Sequence, residues 1–298
     1  MTDILEELCA FRARDAEDGA RAESIAALLA RPEAHAPRPG FAAALRRPDG
    51  ALPRVIAELK KASPSKGLIR ADFRPADLAA ALTAGGAAAL SVLVEPHRFL
   101  GSSDNLALAR SRSPLPLLWK DFVVGEWQIA KAATCGASAV LLIVAALPDA
   151  DLRRLLAFSH DLGLDALVET HDAREIDRAL AVGARVVGVN SRDLRTFRTD
   201  PEATYGLLAR IPADCVRVAE SGVRTAGEIR LAADVGADAI LVGEALMRAP
   251  EPSAALRALL SPSQSPPRTT PHPGVCHFAR NGVESRPPLT QPPPTPTP

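Results

Sequence analysis

The sequence predicts an α/β protein of the closed (β/α)8, or TIM-barrel, type. Eight short runs rich in Val, Ile and Leu alternate with Ala-rich helical stretches, and most of those stretches end at a Gly-Ala-like breaker, as in AGGAAAL, CGASAV, VGARVV and VGADAI. The strand-like runs are RVIAELK (54–60), ALSVLV (89–94), PLLWK (116–120), SAVLLIV (138–144), LDALVE (164–169), RVVGVN (185–190), CVRVAE (215–220) and DAILVG (238–243). Such alternation demands parallel strands joined by crossover helices, and eight units point to closure rather than to an open sheet. The open doubly wound alternative lacks support, since no GxGxxG follows the first run.

Before the barrel, residues 1–53 carry Ile4, Leu5, Leu8, Phe11, Ile25, Leu28 and Leu29 at helical spacing, which predicts a helical extension packed on the barrel. A Pro-containing connector, PEAHAPRPG, leads into the short helical FAAALRRP. The catalytic barrel is expected over 54–260. From 261 to 298 the composition turns to Pro, Ser, Thr and Gln, ending QPPPTPTP, which predicts a disordered tail that buries no core.

Charge narrows the partners. Lys plus Arg and Asp plus Glu both total 35, so no global positive field exists to hold nucleic acid or an anionic membrane. The longest apolar run, Ala139 to Leu147, falls far short of the ~20 residues that span a bilayer. The start MTDILEELCAFRARD intersperses acids among apolar residues, unlike a signal peptide, so a cytoplasmic location is expected. Cys9, Cys135, Cys215 and Cys276 are far apart and form no CxxC, which argues against a zinc site or a disulfide framework. A small-molecule partner remains.

Chemistry concentrates where the strands end. Glu58, Lys60, Lys120, Glu169, Asn190, Glu220 and Gly243 all fall at the C-terminal ends of strands, the face where active sites of this architecture are assembled. Charged groups gathered there must be paired or used. Only five of the thirty-five cationic residues are lysines: Lys60, Lys61, Lys66, Lys120 and Lys131. An amine can give up a proton where a guanidinium cannot, which makes Lys60 and Lys120 candidate acids or bases. Lys131 reads as a solvated helix residue.

Glu220-Ser221-Gly222-Val223 and Gly243-Glu244-Ala245-Leu246, after strands seven and eight, offer backbone N–H groups to a phosphate. The Glu244 carboxylate is expected to point away and to offer only its backbone. The loop KKASPSKGLIR, stiffened by Pro64 and with Gly67 as a hinge, is expected to close over a ligand. Phe99 and Phe122, just past strands two and three, are placed either to sandwich an aromatic ring or to cap the core.

Taken together, IAELKKASPSKG, SVLVEPHRFLGS, WKDFVV, AVLLIV, LVETHD, GVNSRDLRTF, VAESGV and ILVGEALM resemble the indole-3-glycerol phosphate synthase family in order and spacing, over residues 40–258. The resemblance implies conversion of 1-(2-carboxyphenylamino)-1-deoxyribulose 5-phosphate to indole-3-glycerol phosphate, CO2 and water, with no metal or organic cofactor. It assigns Lys120 as the acid that protonates the ribulose carbonyl and Glu169 as the acid that expels the hydroxyl. Glu58 would orient the amines and substrate, and Asn190 and Glu220 would hydrogen-bond the reacting portion. Lys60 stands between phosphate binding and proton transfer. Ser63, Ser221, Gly222 and Gly243 would line the substrate and phosphate region, and Arg192 would meet the anthranilate carboxylate. The resemblance also implies a monomer or weak homodimer, with tryptophan-pathway enzymes as partners. Val94 and Glu244 stand where the family often has Thr and Ser, and the tail has no family counterpart; none of these changes removes a candidate acid. Two other readings are a phosphoribosylanthranilate isomerase type of barrel, which needs fewer strand-end charges, and a silent phosphate-binding scaffold, which would lack one of the acids.

Overall fold

The computed structural model describes residues 4–190, 201–223 and 225–261. Eight parallel strands close into a TIM barrel: β1 (Arg54–Leu59), β2 (Ala89–Leu93), β3 (Leu117–Lys120), β4 (Ala139–Ile143), β5 (Asp165–Thr170), β6 (Val186–Asn190), β7 (Val216–Glu220) and β8 (Ala239–Val242). The ring closes where Arg54 of β1 pairs with Ala239 of β8. Each predicted run overlaps one of these strands, and all but the fifth contain it whole. Trimming at the ends places Lys60 and Gly243 one residue beyond β1 and β8, while β5 continues one residue past Glu169 to Thr170. Val144, the last residue of the fourth predicted run, instead opens a 3-10 turn over Val144–Ala146.

The strands are short and buried on both faces, as barrel strands covered by helices must be. Outside the barrel, Leu82, Ile129, Leu155, Ile176 and Ile229 pack against outward-facing strand residues such as Val55, Leu90, Val140 and Val187. Inside it, Ile56, Leu118, Leu141, Leu167 and Val218 fill the lumen. The Gly-Ala breakers have a geometric cause. Gly86 and Gly236 adopt φ of 97° and 86°, a left-handed conformation that ends a helix and turns the chain into the next strand at little cost only for glycine.

Ahead of the barrel come α1 (Ile4–Ala22), α2 (Ile25–Leu29), a 3-10 turn over Pro32–His35 and α3 (Phe41–Leu45). The fully buried Phe41 and Leu45 of α3 join the lumen cluster. The helix is tied to the strands' N-terminal ends: Ala42 N donates to Asp165 Oδ2 at 2.9 Å, and Arg46 Nη1 to the Cys215 carbonyl at 3.1 Å. That end of the barrel is thereby stoppered, leaving the C-terminal mouth for chemistry. α1 lies by the mouth, where its Arg12 reaches Asp121 just past the end of β3. The loop after β1 carries a two-residue antiparallel ladder, Ala62–Ser63 against Gly67–Leu68, which gives this segment a defined shape. The 261–298 tail, expected to be disordered, lies outside the described residues from 262 onward.

Candidate active site

A cavity of about 410 Å³ opens at the C-terminal ends of the strands. Thirteen of the fourteen residues predicted from sequence line it: Glu58, Lys60, Ser63, Phe99, Lys120, Phe122, Glu169, Asn190, Glu220, Ser221, Gly222, Gly243 and Glu244. The remaining one, Arg192, lies outside the described residues.

At its centre sits Lys120, whose Nζ is 2.9 Å from Glu169 Oε2 and 3.3 Å from Glu220 Oε2. Both carboxylates are almost fully buried. Burial alone would strip the lysine of its proton, but the fields of Glu169, Glu220 and Glu58 outweigh it and hold the Lys120 pKa above its ordinary value. Two carboxylates cannot both remain charged at low cost in such a place. Burial and the neighbouring Glu169 push Glu220 up to about 8. Burial acts on Glu169 in the same sense, but Lys120 and His171 overcome it and hold that carboxyl well below the usual carboxylate range. The two carboxyl groups are thus driven in opposite directions, Glu169 toward the ionised form and Glu220 toward the protonated one. The family resemblance names Glu169 as the acid that expels the hydroxyl.

A second pair lies alongside: Lys60 Nζ donates to Glu58 Oε1 at 2.6 Å, and Ser91 Oγ to Glu58 Oε2 at 3.4 Å. Glycines make room for these acids. A Cβ on Gly243 would stand 2.5 Å from Glu58 Oε1, and one on Gly188 would overlap Glu220 Oε1. Gly243, read from sequence as a phosphate glycine, thus also accommodates a carboxylate.

One end of the cavity suits an anion. Ser221 and Gly222 take φ of 64° and 83°, successive left-handed residues that turn the chain sharply out of β7. That conformation is costly for serine and is characteristic of ligand-gripping turns. Ser63 Oγ is buried without a hydrogen-bond partner among the described residues. Glu244 does line the cavity, but its carboxylate pairs with Arg248 Nε at 3.0 Å, so an anion need not face a free negative charge. Arg248, Lys66 and Ser65 also line the cavity. Ser65 and Lys66 belong to the loop expected to close over a ligand, though neither was singled out there, and Arg248 lies one helical turn beyond Glu244.

The other end is apolar, with Leu93, Leu141 and Ile143 beside Phe99 and Phe122. The two phenyl rings touch each other, centroids 6.1 Å apart and tilted by 41°. A ring held between them would need roughly 7 Å and parallel faces. They form one wall rather than the two jaws that the sequence suggested. Lys131 also differs from expectation: it sits on the helix Glu126–Thr134, half-buried and 3.8 Å from Glu23 Oε2.

Further positioning residues were not visible in the sequence. Glu95, fully buried after β2, accepts the backbone N–H groups of His97, Arg98 and Phe99 at 2.7–2.9 Å and so fixes the turn that carries Phe99. Asp121 accepts from Arg12 of α1, Trp119, Gln128 and the Phe122 N–H. His171 contacts Glu169 and Glu175. Sequence patterning marks each only as polar.

Among the described residues no group of three His, Cys, Asp or Glu side chains is placed to hold a metal, and no helix is long and apolar enough to cross a membrane. The family model for indole-3-glycerol phosphate synthase matches residues 5–259. The chain belongs to the indole-3-glycerol phosphate synthase family. An indole-3-glycerol phosphate synthase of Rhizorhabdus wittichii is 48% identical over 265 residues, covering 88% of this chain and 99% of that protein. One from Azoarcus sp. is 44% identical over 262 residues, covering 87% and 99%. The activity is that of an indole-3-glycerol phosphate synthase, a carboxy-lyase of tryptophan biosynthesis. The solved orotidine 5'-phosphate decarboxylase of Pyrococcus horikoshii superposes with a TM-score of 0.53 at 16% identity, over 69% of this chain and 97% of that one, a likeness of fold alone. In this synthase family member the 37 residues from 262 to 298 lie beyond the family match, which ends at 259.

Proposed function

We propose that the cavity closes the indole ring of indole-3-glycerol phosphate through an acid relay centred on Lys120. The phosphate of the carboxyphenylamino ribulose phosphate lies against the backbone of Ser221–Gly222 and Gly243–Glu244 with Ser63, and the aromatic ring lies on the Phe99–Phe122 wall. Lys60, held by Glu58, faces the phosphate end, while Asn190 lies with Glu169 and Glu220 around the reacting carbons. Arg192 takes the anthranilate carboxylate.

The carrying observation is the contact of Lys120 Nζ with Glu169 and Glu220 at 2.9 and 3.3 Å. As the aromatic carbon bonds to the ketone carbon, the ketone oxygen becomes an alkoxide, basic enough to take the Lys120 proton. Loss of CO2 returns the electron pair to the ring. A neutral Lys120 no longer favours two anions beside it, so the proton shared by Glu169 and Glu220 becomes available to Glu169 for expelling the hydroxyl as water, while the neutral Lys120 amine takes the proton that the neighbouring methylene releases as the indole double bond forms. A positioned acid of this kind contributes roughly 10²- to 10⁴-fold.

This reading extends to a cytoplasmic enzyme, monomeric or weakly dimeric, working beside other tryptophan-pathway enzymes. The test is direct: addition of the carboxyphenylamino ribulose phosphate to the purified protein should produce indole fluorescence together with stoichiometric CO2. Folded protein that yields neither overturns the reading.

A further inference from the structure

Ring closure has a proton deficit. The ketone oxygen takes up two protons before it departs as water, and the neighbouring methylene gives up one as the indole double bond forms. The bond to the carboxylate breaks with its electron pair left in the ring, so an ionised substrate carboxylate leaves as CO2 without bringing a proton. Each turnover therefore draws one proton from solvent into a site whose acids are buried: the side chains of Glu169 and Glu220 are 2% and 1% exposed.

Glu169 has two faces. Its Oε2 meets Lys120 in the cavity, and its Oε1 stands 3.5 Å from His171 Nε2. His171 follows β5 and is not among the residues lining the cavity, so it is not placed to bind substrate. Among the described residues its buried Nε2 makes no hydrogen bond, and its Nδ1 is 3.1 Å from Glu175 Oε2 on the helix Ala173–Ala181. The backbone N–H of His171 also donates to Glu175 Oε2, at 2.8 Å, which fixes the ring between the two acids. Glu175 and His171 side chains are 16% and 18% exposed against 2% for Glu169, so His171 spans from the solvent-reached edge to the buried pair.

We propose that His171, oriented by Glu175, is the proton entry of this site, taking a proton from solvent and passing it from Nε2 to Glu169 Oε1 to reload the Glu169–Glu220 pair between turnovers. The inference rests on the acid roles proposed for Lys120 and Glu169. The charged groups facing the ring are Glu175 on the helix Ala173–Ala181, Glu169 on β5 and Glu220 on β7. Burial would lower the His171 pKa, but all three carboxyl groups favour the imidazolium and together they raise it. The 3.5 Å separation is of the kind that tightens in a working catalytic site. His171 is thus a positioning and relay residue acting through Glu169.

The deciding readout separates the first turnover from later ones. A resting enzyme near pH 7 already holds a proton on the Glu169–Glu220 pair, so His171→Ala should still complete a first turnover, and the readout is the ratio of later turnovers to that first one. Subsequent turnovers should slow by roughly 10²-fold and recover in proportion to added imidazole buffer. His171→Gln, which keeps a polar side chain beside Glu175 but cannot relay a proton, should show the same burst. Later turnovers as fast as the first in both variants overturn the proposal. So does a first turnover lost in His171→Ala and restored by His171→Gln, since that marks a structural role. Absence of product from the wild type would overturn the ring-closure reading itself.

Discussion

Arg12 and Asp121, 109 residues apart in the chain, form a buried bidentate ion pair: Arg12 Nε reaches Asp121 Oδ1 at 2.8 Å and Nη2 reaches Oδ2 at 2.7 Å. Asp121 directly follows Lys120, and its Oδ1 also accepts the Phe122 N–H at 2.9 Å. One carboxylate therefore joins the N-terminal helix to the backbone between the central amine and the aromatic wall. On its far side Arg12 also pairs with Asp15, which meets His97 on the turn that carries Phe99. The N-terminal helix thus braces two of the loops that shape the cavity.

Arg12→Ala leaves Asp121 as a buried charge without its main partner. Breaking one side of such a pair costs about 3–5 kcal/mol, and the slackened Phe122 should raise KM for the aryl substrate. Urea titration with steady-state kinetics checks both. Arg21→Ala, in an exposed pair with Asp18, should shift stability by no more than about 0.5 kcal/mol. Equal effects from the two substitutions would show that the bridge holds nothing in place.

Lys120→Arg keeps the charge between Glu169 and Glu220 but replaces a titratable amine with a permanently charged group. Single-turnover rates should fall by roughly 10²- to 10⁴-fold, with a smaller change in substrate affinity. Lys131→Arg keeps the cation near Glu23 and should be silent. Comparable rates for both variants would move the donor role from Lys120 to Lys60.

Gly222→Asp combines two effects that its φ of 83° allows to be separated. Any side chain there is strained by roughly 1–2 kcal/mol, so Gly222→Ala should lose that much stability as well. Only the aspartate sets a negative charge against the phosphate, and its KM should exceed that of the alanine variant by roughly 10-fold or more. Matching Michaelis constants, with unaltered inhibition by inorganic phosphate, would place the phosphate elsewhere.

Glu220 predicts a pH signature in stability. Its pKa rises from the ordinary 4.5 to about 8 in the folded protein, so between those values the folded state holds a proton that the unfolded state has lost. Its contribution is therefore fully present below pH 4.5 and is lost as pH rises to about 8. Glu220→Gln removes this dependence. Melting temperatures from pH 5 to 8.5 should fall for the native chain and flatten in the variant; parallel curves would mean that Glu220 carries no such proton.

Most of the barrel and the identity of its mouth residues were legible in the sequence. Eight runs of Val, Ile and Leu can satisfy their backbones and bury both faces in few ways, and a polar residue at the end of such a run can only open onto the mouth. Lys120, Glu169 and Glu220 announced themselves because each interrupts an apolar strand at its C-terminal end. Only the tertiary structure decided what those residues do to one another. Whether Glu169 or Glu220 holds the shared proton depends on ångström differences in their distance to Lys120 and on His171 standing behind one of them. Whether Phe99 and Phe122 are jaws or a wall depends on how two loops pack, and whether Arg12 matters to the site depends on where a helix far away in the chain comes to rest. Strand periodicity is a local property written in adjacent residues, whereas pKa, ring packing and long-range ion pairs are set by distances between segments that the sequence keeps apart.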